Sequence, residues 1–479
     1  MNWRQLIHNL ASVTVMRIGM AALGFGQFWL LSHRLPAEQL GEFSLLMNTF
    51  FLLQALPLLG LNSLLTRSVA ASPEDTAVQI SNSLAFALPC ASLMALLLAV
   101  YGQVQSVPGL SLPHLLLGLA MLPTAWTLVA ESALVGREAL QGIAHVSLAE
   151  ATARLLGTWV AVNQGWGLPG VFAFFLLGRL GAAAAYLMHP GLPRPSWPLV
   201  QGAMLRGYVA EVPTYLGLTL CVAAASRIDV IVLSRLMSLK DVGIYAAASR
   251  LYEASLMVST IAVIVVFPML SRLFATDRAA FLALLERCLR WGLLLGMPPV
   301  LVGMALAPWL VQHVYASALW GAAPVLQLLL LAAWLMALDQ LLSTTMMAAQ
   351  AQRQDLLSMA LGLGALVALL VTLTPSFQLP GASLAVVLAL ALRVGWRLAW
   401  AQKQLPLPGL LGHALRAALA AAAGLGTFIG LARHGMPTAL MGGWLAHALV
   451  AWGIGAWGPT HRADWQHLSQ AWLTRRRRA

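Results

Sequence analysis

The sequence predicts an all-α polytopic membrane protein of about fourteen transmembrane helices, and two observations predict it. Hydrophobic types make up 60% of the 479 residues and charged types only 9%, where soluble domains run at roughly 45–50% and about 25%. Apolar runs of about 20 residues, the length that crosses the ~30 Å hydrocarbon layer, recur along the chain. So few charges cannot cover a globular surface of this size, which excludes a soluble enzyme, a disordered protein and a secreted disulfide scaffold. A β-barrel would show alternating segments of about ten residues, and none occur. Helices satisfy their own backbone groups in lipid. The three cysteines, Cys90, Cys221 and Cys288, have no CxxC or paired spacing and imply neither a metal site nor a disulfide framework.

Taken in order, the first six spans are 8–31, 42–65, 80–101, 113–135, 146–164 and 168–188. The next six are 208–234, 243–268, 290–313, 322–348, 356–373 and 380–400, and a last pair covers 413–432 and 439–458. The fifth span carries Glu150 and Arg154. Connections such as 102–112, 164–167 and 375–378 leave no room for a soluble domain, and the longest polar ones are 190–207 and 271–290. The opening apolar run is long and has no A-x-A cleavage pattern, so it reads as the first span, not a removed signal peptide.

The net charge is +12, from 28 Lys+Arg and 16 Asp+Glu, and all but two of the basic residues are arginine. With a cytoplasmic N-terminus, 18 basic residues fall at inner ends and loops, among them Arg67, Arg272, Arg397 and the run Arg475–Arg478. Only Arg34, Arg235, Lys240 and Arg433 fall outside, a positive-inside bias that places both termini in the cytoplasm of a bacterial inner-membrane protein. Ahead of the terminal arginines, Trp465, Leu468, Trp472 and Leu473 share one helical face. Residues 459–479 read either as a basic amphipathic helix on anionic lipid or as a solvated charge run.

LSHRLPAEQLGEF from Leu31 and LSRLMSLKDVGIY from Leu233 align at a shift of 202 residues, pairing Leu31 with Leu233, Ser32 with Ser234, Gly41 with Gly243 and Phe43 with Tyr245. The shift carries the first span onto the seventh, an even number of spans, so both copies share one topology, as in transporters built from two parallel bundles. The expected organisation is an N-lobe over 1–189, a proline-rich cytoplasmic linker over 190–207, a C-lobe over 208–402, and the extra helix pair over 413–458.

LPAEQLGEFSLLMNTFFLLQALPLLGLNSLLTRSVA (35–70), RIDVIVLSRLMSLKDVGIYAAASRLYEASL (227–256) and VVFPMLSRLF (265–274) resemble the bacterial polysaccharide flippases of the multidrug, oligosaccharidyl-lipid and polysaccharide exporter superfamily. The resemblance implies two six-helix lobes around a central cavity that opens alternately to each side, with a lipid-linked oligosaccharide as cargo. Fourteen spans are similar to the lipid II flippase branch, whose extra pair makes a lipid-facing groove. The signatures expected of that branch near the first outer loop are absent, which favours the O-antigen or exopolysaccharide branch. Glycosyltransferases and a polysaccharide polymerase are the partners this implies.

Charges inside spans cost roughly 2.5–3.5 kcal/mol on insertion scales, so they mark function or structural pairing. A polyprenyl diphosphate needs a cationic path, and arginine stays charged and binds phosphate as a bidentate fork. Arg17, Arg154, Arg179, Arg227 and Arg250 are the candidates to line that cavity. The competing reading is that they snorkel to the interface or sit in static salt bridges. Arg17 and Arg179 have no acidic neighbour within a turn, Arg154 has Glu150, and Arg250 has Glu253. Arg227 and Asp229 face different ways and seek partners on other helices. Carboxylates could couple transport to an H+ or Na+ gradient; the candidates are Asp339, Asp229, Glu253 and Glu150, with Asp339 standing alone in its span. No metal cluster, no organic cofactor and no nucleic-acid motif is expected, and the absence of GxxxxGK[ST] excludes a P-loop.

Two other functions compete. A polysaccharide polymerase or ligase would carry a large outer loop, and the loops here are short. A multidrug exporter of the same superfamily would prefer an acidic cavity, whereas arginines match acids within these spans.

Overall fold

The computed structural model describes residues 3–104, 111–405 and 410–454, and these are mostly helical, with no strand among them. The expected tail over 459–479, with Arg475–Arg478, lies outside the described residues. In chain order the helices are α1 (Trp3–Arg34), α2 (Ala37–Leu53), α3 (Asn62–Ala71), α4 (Thr76–Val104), α5 (Ser111–Gly136), α6 (Leu140–Asn163), α7 (Gly167–Leu187) and α8 (Gly202–Ala225). They continue as α9 (Ile228–Leu236), α10 (Leu239–Thr276), α11 (Arg278–Leu295), α12 (Met297–Val314), α13 (Ala322–Ala348), α14 (Gln352–Gln404), α15 (Leu410–Leu431) and α16 (Met436–Gly453).

Eight stretches among the described residues are long and apolar enough to cross a membrane, and a ninth qualifies if Gly202–Pro213 and Tyr215–Ala225, bent by 55°, count as one span. The difference from fourteen has local causes. The expected span 42–65 breaks after Leu53: Pro57 cannot donate a helical hydrogen bond, and Leu59 (φ 47°) and Gly60 (φ 86°) take left-handed backbone. A Cβ at Gly60 would collide with the Tyr215 carbonyl of α8, so only glycine lets these chains approach. The eleventh and twelfth spans run together as α14, yet Gln378 (φ 54°, ψ −139°) between Pro375 and Pro380 divides it into two limbs, at the turn expected over 375–378.

The chain forms two compact units. The first holds residues 1–250 with 312–322 and 370–382; the second holds 251–311, 323–369 and the chain from 383 onward. In the first, α4 packs on α5, α6 on α7 and on α1, and α5 on α7. Its core includes Phe43 against Phe172 (5.7 Å) and Phe50 edge-on to Phe175 (4.9 Å). In the second, α15 packs on α16 and α11, and Leu285, Leu289, Leu338 and Leu342 are buried together.

Two contacts in the first unit explain why packing divides the chain inside α10 and not at the linker. Asn82 of α4, fully buried, donates to the Leu199 carbonyl (3.0 Å) and accepts from the Gln201 amide (2.7 Å), while Ser81 accepts from the Ser196 amide (2.9 Å). The linker is thereby pinned to α4. At the second contact, α2 crosses α10 at Gly41 and Gly243. A Cβ on Gly41 would strike the Leu239 carbonyl, and one on Gly243 the Ala37 carbonyl. Ala37 and Leu239 are themselves 202 residues apart, so the two copies of the repeat meet through a reciprocal, self-complementary contact.

Candidate functional site

The first unit gathers charge at the α5–α6–α7 seam. Thr124, Thr127 and Glu131 follow helical spacing on α5, Glu150 and Arg154 share a face of α6, and α7 supplies Arg179 and Tyr186. Arg179 donates to both oxygens of Glu150 (3.2 and 3.4 Å), to Thr124 Oγ1 (3.1 Å) and to Thr127 Oγ1 (3.3 Å). It is therefore paired across helices, although its own helix offers no acid. Arg154 reaches the same carboxylate only at 3.9 Å, and its guanidinium lies over the Phe175 ring at 5.6 Å. The Tyr186 hydroxyl donates to Glu131 Oε1 (3.2 Å).

A second group in the same unit sits where helices break or bend. Arg227 caps the break between α8 and α9. It donates to Asn48 Oδ1 of α2 (3.2 Å) and lies over the Phe51 ring (5.0 Å). Asp229 accepts from the Tyr245 hydroxyl of α10 (2.8 Å). Arg227 and Asp229 do find partners on other helices, as their two-residue spacing demands. Arg250 lies over the Phe28 ring (5.6 Å), and Phe28 meets Tyr315 edge-on at 6.0 Å. Glu253 is exposed one turn further along α10. Arg17 is exposed on α1 and joins none of these groups among the described residues.

The second unit contains a cluster that sequence reasoning missed. Asp339 does not stand alone. Arg393 grips it as a fork, Nε to Oδ1 at 2.8 Å and Nη2 to Oδ2 at 2.5 Å. Arg397 adds a contact to Oδ1 at 2.7 Å and a second pair to Asp355 at 2.7 Å. Arg397 is 1% exposed and Asp339 3%. Ser358 and Ser343 complete the network, Ser358 accepting from Arg397 (2.9 Å) and Ser343 donating to Asp355 (3.1 Å). Arg397, expected as an inner-end charge, is buried in this network rather than exposed. The available signal was the pair Arg393 and Arg397, four apart on an apolar helix; neighbouring like charges in lipid require carboxylates from elsewhere.

Chemically, three of the candidate arginines, Arg154, Arg227 and Arg250, lie on aromatic faces. Stacking engages the flat face of the cation by its attraction to the ring quadrupole and leaves the N–H edge directed sideways. That edge is the part that binds a phosphate.

A family model described as a polysaccharide biosynthesis protein matches residues 6–274. No curated protein matches the chain. Among solved structures, the fold is similar to a lipid II flippase, MurJ, in an inward closed conformation: TM-score 0.70 at 14% identity, covering 92% of this chain and 98% of that one. It is also similar to an inward-facing multidrug resistance transporter of the MATE family and MOP superfamily, with a TM-score of 0.69 at 10% identity over 82% of this chain and 98% of that one. A MOP superfamily transporter from Pyrococcus furiosus aligns with a TM-score of 0.55 at 12% identity, over 84% and 96% of the two chains.

Proposed function

Because this chain belongs to the polysaccharide biosynthesis protein family, whose model spans more than half of it, we propose that it is a flippase. It translocates a polyprenyl-diphosphate-linked oligosaccharide from the cytoplasmic to the periplasmic leaflet of the bacterial inner membrane, by alternating access between two lobes. O-antigen or exopolysaccharide synthesis is the process it serves, with glycosyltransferases upstream and a polymerase downstream. The fold it shares with a lipid II flippase supports this reading.

The observation that carries the proposal is the set of intramembrane arginines on aromatic faces: Arg154 over Phe175, Arg227 over Phe51 and Arg250 over Phe28. A permanently charged group is costly in a span, and a guanidinium seated on an aromatic face stays a cation that an anionic cargo can meet. Exposed Arg17 is the natural first contact for a diphosphate. Arg179 is different, because its donors are taken by Glu150 and two threonines; its part is to hold the seam in shape.

Transport is coupled, in this proposal, to an H+ or Na+ gradient. Glu150 and Asp339 are each engaged by arginine, so protonating either must first break an ion pair. Asp229, which accepts from a tyrosine hydroxyl, and exposed Glu253 are the other candidate coupling groups.

The test is a flipping assay in proteoliposomes with a fluorescent or radiolabelled polyprenyl-diphosphate sugar. Arg227→Ala and Arg250→Ala should each slow flipping at least about tenfold, the loss of one charge-assisted contact of roughly 1.5–3 kcal/mol, while Arg227→Lys should recover only part because a lysine cannot fork. Wild-type rates in both alanine variants would overturn the cationic path.

A further inference from the structure

A second site lies in the first unit, between α3 and α5, and adjoins the seam through Glu131. Helices α3 and α5 line an open cavity of about 530 Å³, with Asn62, Ser63, Thr66 and Arg67 on one side and Leu128, Glu131, Ser132 and Val135 on the other. The walls are tied together. Thr66 Oγ1 donates to the Ser132 carbonyl (3.1 Å), and Gly136 lets α5 approach the Thr66 carbonyl so closely that a Cβ there would collide. The cavity is therefore a built feature of the helix pair.

Its charges are arranged unusually. Arg67 and Glu131 line the same cavity, yet no ion pair joins them among the described residues. Glu131 Oε1 accepts from Tyr186, and a carboxylate at a site lined partly by apolar side chains is costly unless its charge is matched. Depth matters as well. The 26 residues of α5 span ~39 Å at ~1.5 Å per residue, longer than the ~30 Å hydrocarbon layer. Glu131 is five residues from the end of α5 at Gly136, about 7.5 Å, and so lies near the hydrocarbon boundary. Leu128 and Val135 give the same cavity apolar walls.

We propose that this cavity binds a zwitterionic group carrying a phosphate next to a primary ammonium. Arg67 takes the phosphate, Glu131 takes the ammonium, and Asn62 and Ser63 offer further polar contacts. Two sources present this chemistry at that depth: a phosphatidylethanolamine head group, or an amino sugar beside a phosphate. The proposal does not depend on the flippase reading.

Native mass spectrometry of the full-length protein with equimolar phosphatidylethanolamine and phosphatidylglycerol tests it. Wild type should retain the ethanolamine lipid roughly three- to tenfold over the glycerol lipid, the scale of one charge-assisted contact. Glu131→Gln should bring that ratio close to one, and Arg67→Gln should weaken retention of both lipids. Ser63→Phe, which fills the cavity from its exposed edge without touching the seam, should also abolish the preference, so the result does not hang on one variant's folding. Competition then separates the sources: displacement by glucosamine 1-phosphate but not by glucose 1-phosphate identifies an amino-sugar phosphate as a ligand, and no displacement identifies the lipid. Equal retention of the two lipids by wild type with no glucosamine 1-phosphate effect, or a preference unchanged by both Glu131→Gln and Ser63→Phe, would overturn the proposal.

Discussion

Buried charge separates into two kinds at the level of single residues. Arg397 is 1% exposed and divides its donors among Asp339, Asp355 and Ser358, leaving no edge for a ligand. Removing one member of such a network strands the others in low dielectric, typically at about 3–5 kcal/mol. Arg397→Met or Asp339→Asn should therefore lower the unfolding temperature of the purified protein sharply, before any effect on transport is read. Arg154→Met should cost much less, because Glu150 keeps its closer partner Arg179. Equal losses from Arg397→Met and Arg154→Met would contradict this division. The sequence could show that each of these residues was too expensive to be accidental, and it did mark Arg154, Arg179 and Asp339. It could not show who pairs with whom, since Asp339 and Arg393 are 54 positions apart and helical periodicity relates only neighbours three or four apart. Arg393 was passed over for that reason, although its four-residue spacing from Arg397 was visible.

Elements were legible where glycine and proline punctuate them. The turn at Pro375–Pro380 falls where the residues put it, whereas the bend at Pro213 lies inside the expected span 208–234. The break after Leu53 was missed although Pro57 and Gly60 mark it, because the run from Phe50 to Leu65 is mostly apolar and hydropathy does not register backbone conformation at Leu59 and Gly60. The repeat was legible in full. Its aligned glycines, Gly41 and Gly243, turn out to touch, each against the carbonyl of the residue four before the other. Because the contact is reciprocal, Gly41→Val and Gly243→Val should destabilise by similar amounts, about 1–3 kcal/mol each for forced overpacking. The double variant should cost less than the sum, since both break one interface. Additive losses in thermal unfolding would place the two glycines in independent environments. Asn82→Ala should act on the linker instead: it leaves the Leu199 carbonyl and Gln201 amide unpaired, a loss of about 1–3 kcal/mol, and should raise the rate of protease cleavage over residues 194–201. A cleavage rate equal to wild type would mean the linker is held by its apolar contacts alone.

For the whole molecule the scarce charge does two jobs, and they can be told apart by place. The basic residues expected outside the spans, 18 on one side and 4 on the other if the fourteen-span reading holds, would make an asymmetry of the kind that fixes topology during insertion. The buried clusters contribute little to it, since Arg154, Arg179 and Arg393 are paired with acids inside the units. Arg397 was counted on the inner side and is in truth buried, and subtracting it leaves the bias unchanged in sign. This yields a prediction for the protein in its native membrane. With the N-terminus in the cytoplasm, as the charge bias predicts, alkaline phosphatase fused after Lys240, at the start of α10, should be active. The same reporter after Arg206 or after Arg278 should be inactive. The three sites bracket the stretch that includes the α8 bend, the α8–α9 break and the length of α10, where eight or nine qualifying stretches and fourteen expected spans assign different crossings. Activity at Arg278 would mean that α10 does not cross as one span; inactivity at Lys240 would break the parallel relation of the two repeat copies, since that relation requires an even number of crossings between Leu31 and Leu233. Activity at Lys240 alone keeps both: the Gly41–Gly243 contact then lies toward the periplasmic side, at the end of the molecule poorest in positive charge.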